Sequence, residues 1–425
     1  MPHQTAVTIG APVAPGRLPA LREVLLDMHR KGAGSNEHLP LAELTGVHFA
    51  RLFVLDEETD LDGTTIPPQL FYMCDVDGSA EDHLAELVDG HGAGLDAVFG
   101  HCVDFPEGGA DPAATLAWLQ HHRAEPAANY VHAVGRSVSQ VRDEARLREA
   151  IEELLDRPDA VPAGASAREA HRAVRDHVRD REDLRWAMQR PRPPALGFRL
   201  RELAHLVLVP AVAVVAVVPL LVGAGVLLVV VRLKELRDRP DPEAPTLEHV
   251  AEREQYEDLA AQNPFTAVGF VKPGAVRTIV MKGVLLGLDY ANRHVYHRDN
   301  LAGVRTIHFA RWVPIDDGRR LIFASSYDGS LESYMDDFIN RLAWGLNAVF
   351  SNGVGWPRTR WLLLGGARDE VAFKNYLRKH QVPTPVWYTA YDSLTARNID
   401  ADTRLREELR EDLDEDRAGA WLRGL

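Results

Sequence analysis

Two aspartates, each followed by glycine and serine, are the residues best placed to move protons: Asp77-Gly78-Ser79 and Asp328-Gly329-Ser330. Each stands where a β-prone run gives way to a helical one, so its carboxylate can serve at a cavity mouth as a general acid or base. The same words have a purely structural reading. Glycine turns the chain, serine caps the helix, and the acidic group complements the positive helix N-terminus. Two histidines recur in a second word, Val47-His48-Phe49-Ala50-Arg51 and Ile307-His308-Phe309-Ala310-Arg311. Side chains alternate along a strand, so histidine and arginine of one word face opposite sides. Two roles fit His308: cofactor ligand, or buried and hydrogen-bonded core residue. Arg311 joins Asp77 and Asp328 as a catalytic candidate. His122 and His380 close short helices, where a cationic ring suits the negative C-terminus; His380 is also a candidate cofactor ligand. No zinc motif, nucleophile elbow, phosphate loop or dinucleotide fingerprint is present.

These words belong to an ordered series of matches. Val13-Ala14-Pro15-Gly16 answers Val271-Lys272-Pro273-Gly274, Glu81 answers Glu332, and Leu95, Val98 and Phe99 answer Leu346, Val349 and Phe350. His122 and Tyr130 then answer His380 and Tyr388, and the series ends on Arg146-Leu147-Arg148-Glu149 against Arg404-Leu405-Arg406-Glu407. The chain is therefore a tandem repeat. Each copy predicts the order β-α-β-β-α-β with one extra helix, the ferredoxin-like arrangement, its last strand closing the unit. An antiparallel sheet with helices on one face needs cover on the other. The expected fold is α+β: two tandem ferredoxin-like modules forming a pseudo-dimeric α+β barrel, with an inserted hydrophobic membrane segment. The modules occupy residues 1–160 and 264–425. Residues 161–202 form a charged helical linker, expected to be a solvated stalk, 203–234 the hydrophobic segment, and 235–263 a second linker. The C-terminal helix is mixed in charge with an acidic excess, a solvated surface by its pattern.

The hydrophobic segment carries 26 uncharged residues, 206–231. A helix rising about 1.5 Å per residue would cover roughly 39 Å of them, more than the roughly 30 Å of a bilayer core. Arg199 and Arg201 on one side match Arg232 and Lys234 on the other, so the flanking charge does not choose an orientation. Two modules packed on each other must lie on one side, which favours a re-entrant hairpin over a simple span. With a single span, each module would instead pair with its counterpart in a homodimer. The N-terminus shows no secretory leader. The expected location is thus the membrane, with the lipid bilayer as partner and the modules cytoplasmic.

Composition narrows the function. With 425 residues the chain holds two or three domains, and its net charge of −14 excludes non-specific nucleic-acid binding. Cys74 and Cys102 read as buried thiols in a reducing compartment. The second copy is richer in aromatics, among them Trp312, Tyr327, Tyr334, Trp344 and Trp356. Such residues build cores first and also line cavities for apolar ligands, so if one copy alone keeps a pocket the second is expected to, with the barrel as the place for a small lipophilic ligand.

The words from Thr306 to Trp312, Tyr327 to Ser330 and Glu332 to Phe338 resemble a family of uncharacterised bacterial proteins associated with the dimeric α+β barrel superfamily. That superfamily includes dye-decolourising peroxidases, chlorite-dismutase-like haem proteins and small cofactor-free monooxygenases. The resemblance implies a membrane-associated oxidoreductase of haem peroxidase type, with Asp328 as acid/base and His308 or His380 as iron ligand. The peroxidases' Gly-x-x-Asp-Gly motif is incomplete here: Cys74 and Ser325 begin the windows that end on Asp77-Gly78 and Asp328-Gly329. The alternative is a non-enzymatic, membrane-anchored protein that binds a small lipophilic ligand or acts as a scaffold.

Overall fold

The computed structural model describes residues 4–106, 111–162, 164–190, 196–215, 217–241, 243–258, 260–296, 301 and 303–425. The first half runs β1 (Gln4–Pro12), α1 (Leu18–Lys31), β2 (Val47–Leu55), a small hairpin β3–β4 (Glu58–Thr59, Thr65–Ile66) and β5 (Gln69–Asp77). It continues with α2 (Ala80–Phe99), α3 (Pro112–His121), β6 (Ala128–Val131) and α4 (Val138–Leu155). Helices α5 (Ala167–Asp180), α6 (Leu196–Val215), α7 (Val217–Glu235) and α8 (Leu247–Glu254) lead to the second half. There β7 (Gln262–Phe270), α9 (Ala275–His294), β8 (Ile307–Ile315) and β9 (Arg320–Asp328) are followed by α10 (Leu331–Asp337) and α11 (Ala343–Phe350). A short pair β10–β11 (Thr359–Arg360, Leu364–Gly365), α12 (Glu370–His380), β12 (Val386–Thr389), α13 (Ala396–Leu409) and α14 (Glu415–Leu422) complete the chain.

The strands form two antiparallel four-stranded sheets in the orders β1-β5-β2-β12 and β6-β8-β9-β7. Each sheet is completed by the other half. Strand β12 of the second half pairs with β2, Tyr388 opposite Ala50, while β6 of the first half pairs with β8, Tyr130 opposite Ala310. The expectation that the last strand closes its own module is therefore corrected. The segment before each exchanged strand first touches its own sheet: Ala124 N–H donates to Thr8 O and Val382 N–H to Thr266 O, both 2.9 Å. Each crossing segment thus stitches an edge of one sheet to an edge of the other, and the long strand edges find backbone partners.

The sheets meet face to face through Phe53, Leu55, Phe71 and Met73 against Val313, Ile315, Ile322 and Ala324. Alternation explains the choice. Phe49, Arg51, Phe53 and Leu55 share the inner side of β2, while Ala50 and Leu52 face the helices. The outer faces are covered by two further apolar clusters. Leu21, Leu25 and Met28 of α1 join one, and Met281 and Leu285 of α9 join the other.

Two expectations between the halves are corrected. The apolar run is divided between α6 and α7, and no helix among the described residues is long and apolar enough to cross a membrane. The reason lies in how each helix is spent. The first ten residues of α6 carry Arg199, Arg201, Glu202 and His205, and α7 ends on Arg232, Lys234 and Glu235. What remains apolar is 206–215 in one helix and 217–231 in the other, roughly 15 and 22 Å at the usual rise, short of about 30 Å. The membrane location expected from that run falls with it. Both ends of the pair are fastened to the second half: Tyr290 donates to Leu206 O at 3.3 Å, and Lys272 meets Asp238, just beyond α7, at 2.7 Å.

The charged linker is not a solvated stalk. Val174 and Val178 of α5 are fully buried with Leu147 and Ile151 of α4, Leu405 and Leu409 of α13, and Trp421 of α14. This cluster also buries part of the C-terminal helix that charge pattern alone assigned to solvent.

Candidate functional site

The histidine and aspartate of each half form a locked pair. A β-bulge separates Val47 from Phe49 and Ile307 from Phe309, leaving His48 and His308 outside the pairing register. The bulge re-aims each ring toward the aspartate at the end of the neighbouring strand. His48 Nε2 lies 3.1 Å from Asp77 Oδ1, and His308 Nε2 lies 2.6 Å from Asp328 Oδ1. The second oxygen of each carboxylate accepts a helix N-terminal N–H: Val138 N on Asp77 and Ala396 N on Asp328, both 2.8 Å. Each aspartate therefore pins the helix that follows an exchanged strand, using the favourable dipole at its start.

The halves differ at this point. His48 Nδ1 is 2.8 Å from the Tyr391 hydroxyl. Burial pushes the Tyr391 phenol well up, with the carboxylates of Asp75, Asp77 and Asp328 adding to the shift, so it stays a neutral donor. The repeat places Ala133 where the second half has Tyr391, and among the described residues His308 has the aspartate as its side-chain hydrogen-bond partner.

Arg311 does something else. It crosses from β8 to the opposite sheet, where it donates to Val7 O and Cys74 O, both 2.8 Å, and forms an ion pair with Asp75. Arg51 makes the reverse crossing to Phe265 O, Ser325 O and Ser326 Oγ at 2.9 Å. These guanidinium groups fill the space between the sheets and tie them together.

His380 lies elsewhere. Its Nδ1 donates to Tyr376 O at 2.8 Å, its ring stacks on Tyr376 at 3.9 Å, and it borders a cavity of about 30 Å³. Burial lowers its pKa, so the cap is a neutral donor rather than the cation that the helix dipole alone suggests.

The five candidates thus fall into three places. Asp328 with His308 and Asp77 with His48 flank the two-fold relation between the halves, Arg311 sits between the sheets, and His380 lies against Gly269. The donor set does not fit haem. His308 Nε2 is committed to Asp328, and the space beside His380 is far below the several hundred Å³ of an ordinary cofactor pocket. Among the described residues no three of His, Cys, Asp or Glu stand together as a metal site.

A roomier space lies on the outer face of the second sheet. A cavity of about 230 Å³ opens between α9, the strands β8 and β9, and the chain from Phe338 to Phe350. Trp312, Phe323, Phe338, Leu342 and Phe350 line it, and half-exposed Trp344 stands at its border. Gly287 of α9 faces it with open space where a Cβ would be. The wall from Phe338 to Leu342 is a π-helical turn, a widening of the helix often found at functional sites. One polar atom stands out: Trp312 is 5% exposed, and its Nε1 has no hydrogen-bond partner. Sequence reasoning named Trp312 only as one aromatic among many. The signal available was the alternation with Arg311, which sends Trp312 to the helix-covered face.

Comparison of the chain with protein-family models, curated proteins and solved structures finds no match.

Proposed function

We propose that this protein binds a small lipophilic molecule in the cavity beneath α9, without catalysing a reaction on it. The observation that carries this reading is a chamber of about 230 Å³ walled by Trp312, Phe323, Phe338, Leu342 and Phe350. The volume indicates the size of the guest. About 230 Å³ exceeds the roughly 150 Å³ that admits benzene and falls below the roughly 300 Å³ where drug-sized sites begin. An apolar molecule of one or two rings, or a short chain, meets those terms. Between the sheets, Arg51, Arg311 and their apolar neighbours occupy the interior.

The test is calorimetric titration with 1-naphthol. Gly287→Phe should fill the chamber, abolish binding and raise the melting temperature. Undiminished binding to the Gly287→Phe protein would refute the site.

A further inference from the structure

A second cavity, of about 250 Å³, lies beside the start of β8, and its lining is mostly polar. Arg305 and Thr306 reach it from the chain before β8, Asp337 and Arg341 from the end of α10 and the π-helical turn after it, and Arg397 from the first turn of α13. Three guanidinium groups thus share one space with a single carboxylate, in a chain whose net charge is −14. Arg341 is fixed in place: its Nη1 donates to Gly303 O at 3.0 Å, and its Nε lies 3.3 Å from Asp337 Oδ1. Gly303 carries a φ of 102°, which glycine adopts without strain, and so lets the guanidinium lie against the backbone. Arg305 and Arg397 are exposed and have no acidic partner among the described residues.

The first half shows that the fold does not require these cations. The residues matching Arg305, Asp337, Arg341 and Arg397 are Thr45, Glu86, Gly90 and Ser139, by the registers that align Val47 with Ile307, Asp77 with Asp328 and Val138 with Ala396. There the carboxylate is spent inside the fold, because the Thr45 N–H and hydroxyl both donate to Glu86 Oε1 at 2.7 Å. The second half puts arginine in place of threonine, glycine and serine. Arg397 even stands against the local field, since the first turn of a helix is the positive end of its dipole. Like charges gathered around one cavity repel, and an anion among them turns that cost into attraction.

We infer that this cavity binds a phosphate dianion, free or carried as the monoester of a small molecule, with Arg305, Arg341 and Arg397 holding its oxygens. Guanidinium forks match the oxygens of such a group in pairs. The volume falls below the roughly 300 Å³ where drug-sized sites begin, which limits the organic part to a few atoms. The site shares no lining residue with the chamber beneath α9 and does not rest on the function proposed for it.

Calorimetric titration of the full chain with inorganic phosphate and with glycerol 3-phosphate tests this, at low ionic strength where exposed charges are least screened. Both should bind; a tighter monoester identifies an organic phosphate as the guest, and tighter inorganic phosphate the free ion. Arg305→Gln and Arg397→Gln should each weaken binding roughly tenfold, and the double variant should abolish it. Both side chains are exposed, so these variants should melt close to the wild-type temperature. Arg30→Gln, the same loss of charge at an exposed position of α1, should leave binding unchanged. The inference fails if neither probe binds, if the double variant binds as the wild type does, or if Arg30→Gln weakens binding as much as Arg305→Gln.

Discussion

Arg51 and Arg311 cross the space between the two sheets in opposite directions, and only Arg311 ends on a carboxylate. Its partner is Asp75, whereas the repeat gives Arg51 the hydroxyl of Ser326. Burial pushes the Arg51 guanidinium down to about 9, with the like charge of Arg311 adding to the shift. One carboxylate thus serves two buried cations.

Asp75→Asn should therefore be severe. It leaves both guanidinium groups buried among neutral acceptors, and breaking a buried pair costs roughly 3–5 kcal/mol. Urea unfolding followed by circular dichroism measures the loss; a change below about 1 kcal/mol would show that the carbonyl oxygens alone hold the arginines.

Acid stability should depend on His83. This ring sits among Tyr72 OH at 3.0 Å and Cys74 Sγ at 3.3 Å, and burial lowers its pKa from 6.5 to about 4. The unfolded chain binds the proton first, so the native state loses stability as pH falls from 6.5 towards 4. The amount is about 3 kcal/mol, at roughly 1.4 kcal/mol per pH unit. A His83→Gln protein, compared at pH 7 and pH 4.5, should show a flatter decline. An identical slope in both proteins would place the acid sensitivity elsewhere.

The two aspartate locks should not be equal. Asp328 is the more enclosed of the pair and makes the shorter contact with its histidine. Asp328→Ala should cost about 3 kcal/mol, through loss of the α13 contact and a stranded imidazole, and Asp77→Ala less. Equal denaturation midpoints for the two variants would count against this ranking.

Glu235 should control the segment around β10 and β11. Its carboxylate accepts from Trp361 N and Leu362 N at 2.8 Å and from Thr359 Oγ1 at 2.9 Å, and it pairs with Arg232 at 3.1 Å. Burial alone would raise this carboxyl, yet the Leu362 N–H, the Thr359 hydroxyl and Arg232 together hold it below the usual value. Trp361 and Leu362 adopt φ of 59° and 62°, a conformation that side chains resist and that this clamp compensates. Glu235→Gln should speed hydrogen exchange at those two amides roughly 30-fold, equivalent to about 2 kcal/mol. Unchanged protection would remove the glutamate from that role.

The doubled words were legible because identical local chemistry recurs in identical order: His48 and His308 occupy the same bulge, and Ser79 and Ser330 cap the same helix. Strand exchange was not legible. Whether Val386–Thr389 pairs with its own half or with β2 depends on contacts hundreds of residues away, and its local pattern is the same either way. Sequence leaves the aspartates open between acid/base groups and turn residues at a helix start, because it shows their types but not the helix N–H groups that occupy them. The apolar run misled because its 26 uncharged residues read as one membrane segment, although they are divided between two helices whose outer turns carry Arg199, Arg201, Glu202, Arg232, Lys234 and Glu235. The burial of α5 did have a signal. Ala170, Val174 and Val178 recur every four residues behind a Ser166–Glu169 capping box, which marks a helix with one apolar stripe.

Exchange of the last strands has a consequence during synthesis. β2 leaves the ribosome roughly 330 residues before the strand that covers its edge. At about 5–20 residues per second the interval is roughly 20–60 s. Through that time the nascent N-terminal half presents one edge of Val47–Leu55 as an uncapped template for any passing strand.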